Sequence, residues 1–260
     1  MAGKKHGDRY IQIYGKQPVN EALASGWPVK EIILRKDATD PSLRIISEKA
    51  TREGIPVTFL ELGHFDSKFP RSTQGVMAKV REVEFRDLEE VLASVPDGDD
   101  PLFVALDGIQ DPQNLGAICR TAHAMGVHGV VVPRRRVASL GEGAAKASAG
   151  AIFYQPICEV PNIHYFIEWA KHKGLWVYGL EASGQNALWD TDVTGPLALI
   201  VGSEGKGLSR LARERCDFLV RIPMYGKVTS LNASVACGIA LGEIRRQRSR
   251  RQDRANVQSY

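Results

Sequence analysis

The stretch Phe218-Leu-Val-Arg-Ile-Pro-Met-Tyr-Gly-Lys-Val-Thr-Ser-Leu-Asn-Ala-Ser-Val-Ala236 changes character twice. Phe218 to Ile222 is an apolar run of strand type that Pro223 breaks. A polar loop through Gly226 follows, and the chain then re-enters order as an Ala-rich helix expected to run to about Arg248. Ser230 and Asn232 are good N-cap types, because their side-chain oxygens can accept from the unpaired N–H groups of a first helical turn; the helix is expected to start at one of them. Hydroxyls, an amide, a lysine and free helix-start N–H groups thus gather at the carboxyl end of a strand. Open α/β sheets bind their ligands at such places. An ordinary strand-to-helix connection has the same outline, so this stretch alone names no ligand.

Working back from it, strands and helices alternate. Leu102-Phe-Val-Ala-Leu106, Gly129-Val-Val-Val-Pro133, Ile157 to Val160, Leu175 to Leu180 and Leu197 to Val201 read as strands. Leu115 to Met125, Ala144 to Ile152, Ile163 to Lys173 and Ser209 to Arg215 read as helices between them. Strands of near-continuous apolarity separated by helices point to a mostly parallel sheet covered on both faces. Residues 10–80 form a smaller α/β unit: a helix around Asn20–Ala24, strands at Glu31–Arg35, Ile55–Phe59 and Val76–Val80, and a helix from Pro41 to Arg52 whose apolar positions are Leu43, Ile46 and Ala50. Between the two, Arg81 to Leu92 is charge-rich with a short helical pattern. The turn-forming cluster Pro96-Asp-Gly-Asp-Asp-Pro101 then marks the expected boundary. The division expected is therefore 10–80, a linker over 81–100, a second domain over 101–248, and a basic, disordered tail over 249–260.

The totals exclude several classes. At 260 residues, 43% hydrophobic and 25% charged, the chain has the composition of an ordinary globular protein. Cys119, Cys158, Cys216 and Cys237 are scattered without CxxC or Cys/His ligand spacing, and the six histidines form no HExxH. Neither a disulfide framework nor a metal site is expected, and a reducing cytoplasm fits best. No apolar run has the length of a membrane span, and the first residues lack the apolar core of a signal peptide. Net charge is +4, but residues 245–260 hold six arginines and one aspartate, a contribution of +5, which leaves 4 − 5 = −1 for the rest. A basic tail on a balanced body suits contact with a polyanion, most often nucleic acid, as well as it suits a frayed, solvated end.

Two further polar clusters sit at strand ends. In Asp107-Gly-Ile-Gln-Asp-Pro-Gln-Asn-Leu-Gly-Ala-Ile-Cys-Arg120, Asn114 is a candidate helix cap. Arg120 follows on the helix among Ile118, Cys119 and Ala122, which suggests a partly buried face. A buried arginine needs an anionic partner, either a ligand or a neighbouring carboxylate. Gly202-Ser-Glu-Gly-Lys-Gly-Leu-Ser209 has glycines that permit close backbone approach to a ligand. It matches neither GxxxxGK[ST] nor GxGxxG. Ser203-Glu-Gly-Lys206 formally fits SxxK, without the companion motifs of that hydrolase class.

Together Asn114-Leu-Gly-Ala-Ile-Cys-Arg120, Val201-Gly-Ser-Glu-Gly-Lys-Gly207 and Ile222-Pro-Met…Ser230-Leu-Asn232 resemble, in order and spacing, the three motifs of the SpoU (TrmH) family. These are S-adenosylmethionine-dependent RNA ribose 2′-O-methyltransferases. The likeness extends over residues 10–80, which resemble the family's L30e-like substrate-binding domain. It is greatest to members that methylate a guanosine of 23S ribosomal RNA. One departure is Thr73-Gln-Gly75, where the family often has His-Gln-Gly; that position is tied to domain structure or to RNA contact.

The resemblance implies an α/β fold whose C-terminal, mostly parallel-sheet domain carries a trefoil knot, an exception to the rule against knotted chains. It also implies a cytoplasmic homodimer acting on ribosomal RNA, alternatively on transfer RNA. Gly202, Ile222 and Leu231 would hold the cofactor. Arg120 would be the catalytic residue, with Asn114, Glu204, Ser230 and Asn232 completing the pocket; no metal is implied. Arginine is a poor base, its pKa exceeding ~12, so Arg120 is expected to hold phosphate and the 2′-oxygen, with proton acceptance open. His123 is a nearby conventional base but reads better as a surface or interface histidine. Arg134-Arg-Arg136, Lys146 and Lys227 suit phosphate contacts, which add affinity without sequence information. RNA rather than DNA is expected because only RNA carries the hydroxyl being modified. A non-catalytic RNA-binding protein on the same fold is the rival from another class, and the joint presence of the five polar site residues argues against it. A Rossmann-type methyltransferase lacks its glycine loop here.

Overall fold

A computed structural model describes residues 9–36, 40–135 and 138–257. In chain order the elements are β1 (Tyr10–Tyr14), α1 (Lys16–Ala24), β2 (Val29–Arg35), α2 (Pro41–Arg52), β3 (Val57–Leu60), α3 (Leu62–Lys68), β4 (Val76–Arg81), α4 (Leu88–Ala93) and β5 (Leu102–Asp107). Then follow α5 (Pro112–Ala124), β6 (Gly129–Pro133), α6 (Glu142–Ala147), β7 (Ile157–Val160), α7 (Ile163–His172), β8 (Trp176–Leu180), β9 (Asn186–Ala187), β10 (Leu197–Gly202), α8 (Arg210–Arg215), β11 (Phe218–Arg221) and α9 (Ala233–Val257). They form two compact units. One consists of the described residues up to Glu84 together with Ser139–Tyr154; the other runs from Phe85 to Ala138 and from Gln155 onward.

The first unit has a four-stranded sheet in the order β1-β4-β2-β3, with β4 antiparallel to both neighbours and β3 parallel to β2. Asp40 caps α2 by accepting from the Ser42 N–H at 2.9 Å, and Leu43, Ile46 and Ala50 are buried beneath it, as the apolar spacing predicts. Thr73 is buried, and the left-handed Gln74 (φ 55°) accepts the Lys16 N–H on its Oε1 at 3.0 Å. The Thr73-Gln-Gly75 corner therefore closes the start of α1, the structural part of what the sequence suggests.

The small-residue helix expected over Ala144–Ile152 is interrupted. It stops at Ala147, Ala149 and Gly150 take left-handed backbone (φ 49° and 89°), and a short 3-10 turn spans Ala151–Phe153. The segment belongs to the first unit, not to the expected 101–248 domain. The Phe153 ring lies 5.5 Å from Trp27, and the Tyr154 hydroxyl donates to the Glu21 carboxylate at 2.8 Å. Lys146 sits on this segment, in the first unit. A Cβ on Gly150 would fall 2.4 Å from Glu21 Cβ. Gly150→Ala is therefore expected to destabilise this unit by about 2 kcal/mol, from overpacking plus left-handed strain. Gly54→Ala, with a similar φ of 71° and nothing within 4 Å, is the strain-only control and should cost about half as much. Thermal melts of the two variants read the difference.

In the second unit a seven-stranded sheet has the order β7-β6-β5-β10-β8-β11-β9, and every neighbouring pair is parallel. The mostly parallel α/β class expected from the apolar strands is what forms: β6 and all but the last residue of β5 and of β10 are buried. The two latest strands are laid between earlier ones, β10 between β5 and β8, and β11 between β8 and β9. The expected 81–100 linker is partly core: Asp87 caps α4, and Leu88 and Val91 are buried with Phe103, Phe166 and Ile167. Burial of such side chains contributes ~1.5–3 kcal/mol each.

The expected disorder after 248 is also corrected. The last helix continues to Val257, and its anchor is the one arginine described as buried. The Arg248 guanidinium donates to the carbonyls of Asp100 at 2.7 Å, Pro101 at 3.2 Å and Gly195 at 2.8 Å. Burial lowers its pKa to about 10, which leaves it charged at neutral pH. Gln247 adds a bond to the Thr191 carbonyl at 3.0 Å. Among the described residues no helix is long and apolar enough to cross a membrane.

Candidate active site

Because all seven strands run one way, the carboxyl ends of β5, β8, β10 and β11 share one edge of the sheet. Interleaving makes β5, β10, β8 and β11 consecutive neighbours there. Four segments distant in sequence meet as a result: α5 after β5, Leu180-Glu-Ala182 after β8, Gly202–Gly207 after β10, and Ile222–Asn232 after β11.

The Gly202–Gly207 segment is a tight hairpin. Ser203 and Gly207 exchange both backbone hydrogen bonds, at 3.1 and 2.9 Å. The hairpin turns back over Gly202 so closely that a Cβ there would lie 2.2 Å from the Gly207 carbonyl carbon and 2.5 Å from the Leu208 nitrogen. Asp107 fixes the far side of the loop by accepting the Ser209 N–H at 2.7 Å, and Ser209 caps α8 through the Ala212 N–H.

On the rim, three polar side chains from the three clusters join. Asn114 Nδ2 donates to Glu204 Oε1 at 3.0 Å across 90 residues, and Asn232 Nδ2 donates to Asn114 Oδ1 at 2.9 Å across 118. Asn232 Nδ2 also donates to Glu204 Oε1. Asn232 Oδ1 meanwhile accepts from the Ser234 and Val235 N–H groups at 2.9 and 3.3 Å. Asn232, not Ser230, is thus the cap of α9. Asn114 is not a cap: Asp111 caps α5, accepting from Gln113 N at 2.9 Å, and Asn114 is buried inside the helix.

Beside this network lies a cavity of ≈ 540 Å³ lined by Leu180, Glu181, Val201–Gly207, Ile222, Met224, Thr229–Leu231, Ala233 and Ala236. The residues expected to hold a cofactor, Gly202, Ile222 and Leu231, all line it, as do Glu204 and Ser230. Its size lies within the ~300–1,000 Å³ range of small-molecule sites. Its walls combine glycine backbone and aliphatic side chains with charged and hydroxyl groups (Glu181, Glu204, Lys206, Thr229 and Ser230), which fits a ligand with an adenine, a ribose and a methionine chain. Glu181, Met224 and Leu180 were not singled out from the sequence; the position of Leu180 and Glu181 at the carboxyl end of an apolar strand is the signal that could have found them.

Arg120 stands apart from this assembly. It is exposed on α5, not partly buried, and among the described residues no hydrogen bond links it to Asn114 or Glu204. Six residues on a helix turn the side chain about 120° away from Asn114, so with Asn114 on the buried face Arg120 falls on the exposed one. His123 is exposed as expected. Lys227 lies exposed in the loop after β11, and Arg134 pairs with Glu159 at 2.8 Å. Arg136, part of the expected basic loop, lies outside the described residues.

Known proteins match over both units. The model of the SpoU rRNA Methylase family matches residues 101–242, and that of RNA 2′-O ribose methyltransferase substrate binding matches residues 12–86. A putative TrmH family tRNA/rRNA methyltransferase of Bacillus subtilis, YacO, is 39% identical over 91% of this chain and 96% of its own. The 23S rRNA (guanosine-2′-O-)-methyltransferase RlmB of Pseudomonas aeruginosa is 40% identical over 93% and 98%. Among solved structures, the SpoU methyltransferase AviRb of Streptomyces viridochromogenes, in complex with AdoMet, superposes with a TM-score of 0.77 at 28% identity, covering 92% of this chain and 90% of that one.

Proposed function

Because the chain belongs to the SpoU rRNA methylase family, an S-adenosylmethionine-dependent group of RNA methyltransferases, we propose that it methylates the ribose 2′-hydroxyl of a guanosine in 23S ribosomal RNA. The observation that carries the reading is the Asn114–Glu204–Asn232 network, whose Glu204 lines the ≈ 540 Å³ cavity. It joins all three motifs into one polar rim. The identity to RlmB supports the ribosomal target, whereas the likeness to YacO keeps transfer RNA as the second reading.

Gly202, Ile222 and Leu231 would hold the cofactor, which supplies an electrophilic methyl on a sulfonium when bound. The protein's share is to hold the ribose still, aim its oxygen and accommodate the departing proton. Ser230 and Glu204, whose Oε2 is reached by no hydrogen bond among the described residues, offer hydrogen-bond partners at the rim. Arg120, exposed and carrying five donors, suits the nucleotide's phosphate and the developing negative oxygen. The interleaving of β10 and β11 is the strand arrangement that a trefoil knot would produce.

A homodimer fits a row of exposed apolar side chains next to the site: Tyr225 at 93%, Val228 at 67%, Val235 at 49% and Ile239 at 36%. Val235 and Ile239 lie one turn apart on α9. Light scattering should give twice the 28.6 kDa chain mass, and Ile239→Glu should shift it to the monomer. Function is tested by mapping 2′-O-methylation in RNA from cells with and without the protein. A single guanosine of 23S RNA that loses its methyl group supports the reading; an unchanged ribosomal map with a lost transfer RNA methyl selects the second.

A further inference from the structure

We propose that Glu181 is the receptor for the ribose hydroxyls of the cofactor and so the residue that selects a ribonucleoside ligand; this rests on the cavity being the cofactor's seat. Glu181 follows β8 and lines the cavity with Gly202, Ile222 and Leu231. Its side chain is only 10% exposed. A carboxylate this far from solvent needs partners for the lone pairs on both oxygens. Its partners among the described residues converge on one oxygen: Oε2 lies 3.2 Å from Arg213 Nε and accepts the Leu208 N–H at 3.4 Å. Among the described residues no hydrogen bond reaches Oε1. Of the two carboxylates on the cavity wall, Glu204 is exposed and tied to Asn114 and Asn232, whereas Glu181 is the one enclosed within the seat.

The choice of hydroxyls over a cationic group follows from Arg213. Its guanidinium pairs with the Glu181 charge and is itself anchored on the Leu208 carbonyl at 3.1 Å. A carboxylate already paired with a cation has little charge to offer a second cation. It retains lone pairs for neutral donors, and vicinal hydroxyls are the neutral donors of a nucleoside. An acidic residue receiving ribose hydroxyls at a strand end is also a recurrent solution in parallel α/β sheets. The position is held stiffly, since the Glu181 N–H bonds the Val220 carbonyl at 2.9 Å and its carbonyl accepts from Gly184 at 2.9 Å.

The test uses the whole protein and calorimetric titration with S-adenosylhomocysteine and its 2′-deoxy and 3′-deoxy analogues, for wild type, Glu181→Ala, Glu181→Gln and Arg213→Ala. The wild type should prefer the ribonucleoside over a deoxy analogue by roughly 10- to 100-fold, the range of a hydrogen bond to a charged group. Glu181→Ala should erase that preference by weakening only the ribonucleoside. Glu181→Gln, which keeps the shape and one acceptor, should lower it in part, and should do so even if the alanine variant fails to fold. Arg213→Ala should leave the preference in place, whereas a purely structural ion pair would make it behave like Glu181→Ala. A wild type that binds all ligands equally, or variants that keep its full preference, would overturn the assignment. A wild type that binds none of them would instead overturn the cofactor reading of the cavity.

Discussion

Arg120→Ala is expected to lower the rate of methyl transfer by ~10²–10³ or more, the cost of removing a charged group that stabilises developing negative charge in a transition state. Cofactor affinity and thermal stability should stay close to wild type. The structural grounds for the second half are direct. Arg120 is exposed in the middle of a helix, does not line the cavity, and is replaced by the residue of highest helix propensity. Single-turnover assays with saturating cofactor separate the two halves, because a loss confined to the chemical step lowers kcat without weakening the cofactor. Arg120→Lys is the informative companion. It keeps the charge but loses the planar fork that holds phosphate and oxygen together, so it should recover only part of the rate. Near-normal turnover by Arg120→Ala would remove the residue from the mechanism.

Gly202→Ala is expected to abolish cofactor binding and to cost about 3 kcal/mol or more in stability, at the upper end of overpacking effects. The added Cβ would meet three backbone atoms, at 2.2 Å (Gly207 carbonyl carbon), 2.4 Å (Gly207 oxygen) and 2.5 Å (Leu208 nitrogen). No side-chain rotation relieves a clash with backbone. The hairpin must lift off the end of β10, and doing so breaks the Ser203–Gly207 pair and deforms the cavity wall that Glu204 shares. Gly205→Ala, two residues past the start of the hairpin, separates this from a general intolerance of the loop. Gly205 has φ 76° and nothing within 4 Å, so alanine there should cost only the ~1–2 kcal/mol of left-handed backbone and leave the Ser203–Gly207 pair intact. Calorimetry and melting curves on the pair read the contrast.

Much of this was legible in the chain. Apolar runs such as Leu102–Leu106 and Leu197–Val201 mark buried parallel strands because both faces of such a strand are covered, so no polar alternation is tolerated. Pro41–Arg52 forms a helix to the residue because its cap, its proline and its apolar spacing agree. The weaker readings failed where local signals were silent or mixed. The charged stretch before Leu102 looked like a linker, yet Leu88 and Val91 of α4 are core. The small-residue run Ala144–Ile152 looked uniformly helical, and nothing local announced the left-handed Ala149. The arginine-rich end looked free, and its order comes from carbonyls of Asp100, Pro101 and Gly195 far back in the chain. Arg120, expected to be partly buried, is exposed, and Arg248 is the arginine that the fold encloses, held by backbone carbonyls rather than by an anion.

The sequence by itself determined the local chemistry: which residues end strands in polar loops, which oxygen types could cap α9, and which three motifs belong together by their likeness to a known family. Tertiary structure alone decided which of those residues touch. Asn114, Glu204 and Asn232 lie 90 and 118 residues apart along the chain, and they meet because β10 and β11 are inserted between strands laid down earlier. Spacing along a chain carries no record of that insertion, since strand order is set by which apolar faces bury one another. The same insertion set Glu181, at the end of β8, beside the ends of β10 and β11, while the turn of α5 that buries Asn114 leaves Arg120 exposed.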